Sequence, residues 1–161
     1  METLSYDLLQ FVYHLALAVL VGGSLALGTA VAPALFATGR TRSEAGTLFS
    51  AVLARFDGLA IFSVIVLVIT TVLKAVTFDV TGTPEPRLIL RWIMVAIVGA
   101  ATLFSSGWAN PVARAIRAQT PAFDEQPAAS PARVEFVRLH ERSRRAMSVA
   151  IVAGLIALFL S

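Results

Sequence analysis

The stretch that decides the fold runs from Leu8 to Gly39, LLQFVYHLALAVLVGGSLALGTAVAPALFATG, thirty-two residues without an Asp, Glu, Lys or Arg. Three more charge-free runs follow: Gly58 to Leu73, Trp92 to Ala113, and Ala146 to Ser161. A bilayer core takes ~20 residues of helix to cross and holds no water to satisfy an open backbone, so each run reads as a spanning helix. The composition agrees, with 57% hydrophobic residues, 14% charged and a mean hydropathy of +0.80. Soluble domains carry about a quarter charged residues. The expected fold class is therefore all-α, a single-domain (1–161) four-helix transmembrane bundle with up-and-down topology. Its helices are expected over about 5–36, 43–77, 87–118 and 131–160.

Local signals set these boundaries. Pro33 lacks an amide hydrogen and crowds the carbonyl of Thr29, so a kink or stop is expected there. Thr41 or Ser43 can cap the second helix, and Gly82, Pro84 and Pro86 break the chain before the third. The third helix can continue past Pro111. The segment TPAFDEQPAASPA is rich in Pro and Ala without helical periodicity and reads as a linker, about 119–130. Ser130 followed by Pro131 is a cap and first-turn pair opening the fourth helix, whose RVEFVRLHERSRR start forms a charged stalk before lipid near Ala146. The start METLSYD is acidic and the first run is too long for a signal peptide, so the first helix is expected to be retained.

Short loops rich in Lys and Arg stay cytoplasmic. Ten basic residues flank the first and third loops: Arg40, Arg42, Arg55, Arg114, Arg117, Arg133, Arg138, Arg142, Arg144 and Arg145. Only Lys74, Arg87 and Arg91 flank the other side. This asymmetry predicts a multi-pass protein of the cytoplasmic (inner) membrane, N-out and C-out. The net charge of +3 then points to anionic lipid headgroups as partners, and not to nucleic acid, because the basic residues lie beside apolar runs without a stacking surface. No cysteine is present, which excludes disulfides, thiolate metal sites and thiol nucleophiles.

Small residues recur along two helices. His14, Ala18, Gly22, Ala26, Ala30 and Ala34 step by four, and His140, Ser143, Met147, Ala150, Gly154 and Ala157 follow a heptad. Such stripes let helices approach closely in lipid, and both are expected to be packing seams.

Gly22-Gly23, then APALF (Ala32 to Phe36), Phe56-Asp57 and LHERS (Leu139 to Ser143) together resemble the transmembrane protein 205-like family, whose bacterial members are mostly catalogued as a domain of unknown function. More distantly, His14 followed by that glycine pair is similar to the first helix of copper-resistance protein D and of four-helix haem-dependent protoporphyrinogen oxidases. The resemblance implies a four-helix membrane bundle that binds or helps to move a small ligand or metal in stress or drug tolerance. It also raises copper or haem as cofactors. The Trp that such first helices often carry before the glycine pair is replaced here by Leu20 and Val21.

Residue chemistry supplies the candidates. His14 is the one ionisable side chain deep in the first run, and intramembrane ionisable groups are functional hypotheses because burying them is costly. Met94 is expected at a similar depth, and His with Met suits copper(I) or a haem iron. Lys74 and Arg91, on the same side, can neutralise propionates or attract an anionic ligand. The competing reading is a hydrogen-bonded neutral imidazole with Met94 as filler. At the cytoplasmic end, Arg55, Asp57, Asn110, Arg114, His140, Glu141, Ser143 and Arg144 form a polar network, with an ion pair expected between Asp57 and Arg144 near His140. It serves either as a register-fixing network or as a gate or docking surface. The two histidines belong at opposite ends, which disfavours a shared metal. Paired-histidine metalloprotease, phosphate-loop and thiol signatures are missing, and Ser24 lies in a membrane helix instead of a nucleophile elbow, so no enzyme is expected. Four helices enclose little volume, so transport calls for a homodimer or a partner subunit. A non-catalytic assembly or scaffold subunit is the further alternative.

Overall fold

The computed structural model describes residues 2–38, 41–79 and 82–161. Arg40 and the end of the first run at Gly39 lie outside the described residues, which are mostly helical with no strand. Four long helices follow one another: α1 (Thr3–Ala37), α2 (Arg42–Asp79), α3 (Pro86–Gln119) and α4 (Pro131–Phe159). The first three are long and apolar enough to cross a membrane. The helical part of α4 beyond Arg145, Ala146 to Phe159, is only ~21 Å long at the usual rise, short of a ~30 Å hydrocarbon core.

Each helix start has a local cause. Thr41 caps α2 through a full capping box, its hydroxyl accepting from the Glu44 amide while the Glu44 carboxylate accepts from the Thr41 amide. Pro86 and Pro131 occupy first turns, where their missing amide hydrogen costs nothing. Ser130 stands at the cap position of α4 with extended backbone and makes no side-chain capping bond.

The two mid-helix prolines share one solution. Leu27–Val31 and Leu103–Ala109 are widened π-helical turns, and Pro33 and Pro111 each follow two residues later. Ala32 N–H reaches Leu27 O and Asn110 N–H reaches Ser105 O, one residue further back than in an α-helix. The extra residue makes room for the ring. The stop expected at Pro33 does not occur, and α1 runs on to Ala37.

The helices form a ring in which α1 touches α2 and α4, and α3 touches α2 and α4. Leu17, Ala60, Leu67, Val98 and Ala157 are fully buried at its centre, while Phe62, Ile65, Ile69, Ile93, Val152 and Leu155 face outward. An apolar exterior around an apolar core is the pattern of helices solvated by lipid. The α4 stripe is a seam: Ser143, Ala150, Gly154 and Ala157 are buried, and a Cβ on Gly154 would come within 2.5 Å of Val21 Cγ2. The α1 ladder is not. Ala18, Gly22, Ala26, Ala30 and Ala34 are exposed, and α1 packs instead through Tyr13, Ala16, Leu17, Leu20, Val21 and Ser24. In lipid both faces of the helix are apolar, so the spacing of small residues marks a possible seam without saying which face is used.

The segment between α3 and α4 is packed. Phe123 is buried in a 3₁₀ turn (Phe123–Glu125) against the Phe136 ring, 5.1 Å between centroids, and Ala122 enters that turn with φ 48°. Asp124 accepts from Ser43 Oγ and from Arg117 Nη2, the latter at 2.8 Å, tying the segment to α2 and α3.

Candidate functional site

Two polar layers bound the apolar core. Along α2 they stand ~25 Å apart, from Asp57 to Lys74, close to the thickness of a hydrocarbon core.

The Asp57 layer is a closed network. Asp57 is 3% exposed, and its carboxylate accepts from Asn110 Nδ2 at 2.8 Å and from Arg114 Nη1 at 2.6 Å. Ser143 Oγ donates to Asn110 Oδ1 at 2.6 Å and lies 2.7 Å from Ser105 Oγ. Every member has a partner, as a structural network requires. Of the expected members, Asp57, Asn110, Ser143 and Arg114 meet here. Arg144 and His140 do not: both are exposed, Arg114 takes the place expected for Arg144 beside Asp57, and His140 stacks on Phe136 at 6.2 Å. The levels were foreseeable, but the angular position of each side chain around its helix was not. Among the described residues Arg55 also forms no part of this network, and Glu141 pairs with Arg145 on its own helix.

The Lys74 layer is different. Lys74 is 1% exposed and donates to Gln10 Oε1, while its ammonium lies 5.1 Å from the Tyr6 ring centre and 5.3 Å from that of Tyr13. Arg91, 6% exposed, pairs with Asp79, and its guanidinium carbon lies 5.9 Å from the same Tyr13 ring. Two buried cations thus share one aromatic ring, and Asp79 is paired with the second of them. The Tyr13 hydroxyl and Arg91 Nε are buried without a hydrogen-bond partner. Beside them opens a cavity of about 330 Å³ lined by Asp79, Thr83, Glu85, Arg87, Arg91 and Leu160.

His14 belongs to this layer. Its Nε2 lies 3.0 Å from Gln10 Nε2 and 2.8 Å from Ser161 Oγ. Because Lys74 holds the Gln10 carbonyl oxygen, the Gln10 amide nitrogen faces His14 and donates to Nε2 in the tautomer that leaves this nitrogen unprotonated, while Ser161 Oγ donates to Leu158 O. Met94 lines a separate apolar groove of about 390 Å³ with Ile97, Val149, Val152, Ala153 and Ile156. The described contacts do not bring Met94 to His14, and among the described residues no cluster of three or more His, Asp or Glu side chains is arranged to hold a metal. This donor set does not fit copper or a haem iron. Gln10, Asp79 and Ser161 escaped the sequence reading, although Gln10 stands one helical turn before His14, the spacing of neighbours on one face.

A family model for a domain of unknown function, DUF4149, matches residues 15–122, two thirds of the chain. The chain belongs to the DUF4149 family. The DUF4149 match spans α1 to α3, the three helices long enough to cross a membrane, and ends before α4. No curated protein and no solved structure matches the chain, so no named relative supports the likeness to transmembrane protein 205 or copper-resistance protein D.

Proposed function

We propose that this DUF4149 protein is a four-span protein of the cytoplasmic membrane, N-out and C-out, that binds a small ligand at its outer, Lys74 end. The observation that carries the reading is the Lys74 layer itself: buried cations and unpartnered polar atoms next to a cavity of about 330 Å³, whose wall Arg91 shares with Asp79, Glu85 and Arg87. Groups of this kind cost folding free energy unless something compensates them, which marks a ligand site more readily than a packing seam. The Asp57 layer, with all its members paired, reads as the inner structural clasp.

The fourth span is supported by the reach of α4. Ser143 meets Asn110 in one layer and Ser161 meets His14 in the other, so α4 covers the distance between the layers. Arg144 and Arg145 just below its apolar part can extend toward headgroups and compensate for its shortness. The arginine asymmetry supports the orientation.

A thermal-unfolding screen in detergent tests the function. Neutral, cationic and anionic small molecules, copper ions and haemin are each added to the wild type and to Thr83→Trp, which fills the cavity. At least one class should raise the wild-type Tm by several degrees and leave Thr83→Trp unmoved. If no class produces a cavity-dependent shift, the ligand-site reading fails.

A further inference from the structure

The outer cavity has a charged wall in which the two signs are equal in number. Asp79, Glu85, Arg87 and Arg91 line it together with Thr83 and Leu160, around a space of about 330 Å³. Asp79 closes α2, Glu85 stands at the cap position of α3, and Arg87 and Arg91 lie one turn apart on α3. Asp79 and Arg91 are paired with each other. Glu85 and Arg87 are not: among the described residues Glu85 enters no ion pair, and its side chain makes no capping bond. Arg87 donates through Nε to Leu160 O and through Nη2 to Phe159 O, both at 3.3 Å, and among the described residues its Nη1 makes no hydrogen bond.

Two acids and two bases sum to zero charge, which restricts what the cavity can hold. An anion drawn to the arginines meets Glu85 and Asp79 across the same small space, and a cation drawn to the acids meets Arg87 and Arg91. An apolar molecule strips water from four charged side chains and offers nothing in its place, which is costly. A molecule with both an ammonium and an oxyanion avoids all three penalties. Its ammonium donates to the free Glu85 carboxylate, its oxyanion accepts from Arg87, and the wall stays neutral. Both contacts are charge-assisted hydrogen bonds, the stronger class. The volume suits a small ligand, since ligand pockets begin at about 300 Å³.

Resting on the ligand-site reading above, we infer that the outer cavity takes a small zwitterion, with Glu85 accepting from its ammonium and Arg87 donating to its oxyanion. The Asp79–Arg91 pair adds a fixed dipole to the same wall and no net charge. Asp79 stands more than one helical turn past Lys74, and Thr83 and Glu85 belong to the segment joining α2 to α3, so the cavity lies at the outer edge of the apolar slab. The source is either a free amino-acid-type solute or the headgroup of phosphatidylethanolamine, since both present an ammonium and an oxyanion a few bonds apart.

The test uses the full chain in a phospholipid-free detergent with two arms. In the first, glycine and β-alanine are titrated at constant ionic strength while Tm is followed, beside their single-charge analogues acetate and ethylamine. In the second, phosphatidylethanolamine and the anionic phosphatidylglycerol are added in turn, and bound lipid is counted by native mass spectrometry. One arm or both should show one zwitterion per chain, favoured roughly tenfold over its singly charged counterparts. A response to the amino acids alone assigns a free solute, and one to the lipid alone assigns a headgroup. Glu85 is exposed and its side chain makes no capping bond, so its variants keep the fold. Glu85→Gln should weaken zwitterion binding roughly tenfold, and Glu85→Lys should abolish it and turn any lipid preference toward phosphatidylglycerol. Arg142→Gln on the α4 stalk should leave binding intact. Undiminished binding by Glu85→Lys, an equal response to the singly charged counterparts, or silence in both arms overturns the zwitterion site. If a molecule of another class nevertheless gives a Thr83-dependent shift, the ligand site stands and only the class of its ligand falls.

Discussion

Arg114 Nη1 on α3 lies 2.6 Å from Asp57 Oδ2 on α2, and the Asp57 side chain is 4% exposed where that of Arg114 is 28% exposed. The pair therefore sits at the edge of the apolar core with its acid inside and its base reaching outward, and it fixes the relative height of two neighbouring helices. Arg114→Ala leaves a buried carboxylate with Asn110 as its remaining partner. Breaking such a pair is expected to cost about 3 kcal/mol, at the low end of the buried range because of the partial exposure of Arg114. Thermal unfolding in detergent measures it, and the double variant Asp57→Asn with Arg114→Gln should recover more than half of the loss. Equal loss in the single and double variants would show that the pair's charges are not what matters.

Adjacent glycines in α1 should behave in opposite ways. A Cβ on Gly23 would run into the Phe56 ring at Cε2, whereas Gly22 has nothing within 4 Å. Gly23→Ala should destabilise by about 1–3 kcal/mol through overpacking, and Gly154→Ala, against Val21, by a similar amount. Gly22→Ala should be neutral or gain up to about 1 kcal/mol from helix propensity. Unfolding midpoints of the three variants check the ordering.

The contrast between these glycines shows what the sequence does and does not contain. Charge-free runs, the Thr41–Glu44 capping pair and the arginine clusters make helices and a membrane setting legible, because each is a property of residues close together in the chain. Facing is another matter. On helices that are apolar all round, no polar side distinguishes inside from outside, so the Ala18–Gly22–Ala26 ladder reads as a seam although it faces outward. Likewise Arg114 and Arg144 belong to the same level beside Asp57, and only the angular position of each around its helix selects Arg114. Lys74 and Arg91 were visible as charges at one end, but their shared Tyr13 ring depends on three helices meeting.

Acid should loosen the segment between α3 and α4. The Ser43 hydroxyl first, and Arg117 next, hold the Asp124 carboxyl below its ordinary value of 3.8. Folding lowers this group's pKa, so its contribution is whole above the unfolded value and fades as pH falls through the folded one. With the Asp124 side chain 44% exposed, that contribution is under about 1 kcal/mol. Wild type should therefore exceed Asp124→Asn in Tm near neutral pH, with the difference shrinking below about pH 4. A difference independent of pH would assign it to packing instead.

Ala122 holds a left-handed conformation, φ 48°, at the entry to the Phe123 turn. A side chain pays about 1 kcal/mol there that glycine does not. Ala122→Gly should raise stability by up to that amount, reduced by the extra freedom glycine brings to the unfolded chain. A clear fall in the unfolding midpoint would contradict the strained backbone.

The central claim, an apolar slab bounded by the Lys74 layer outside and the Asp57 layer inside, is tested most directly by cysteine labelling, since the chain has no cysteine of its own. Single cysteines at Thr83, Ile65 and Gln126 are treated with a membrane-impermeant maleimide, first on intact cells and then after permeabilisation. The account predicts labelling of Thr83→Cys in intact cells, of Gln126→Cys only after permeabilisation, and of Ile65→Cys in neither case. Labelling of Gln126→Cys from outside, or of Ile65→Cys in either condition, would contradict it.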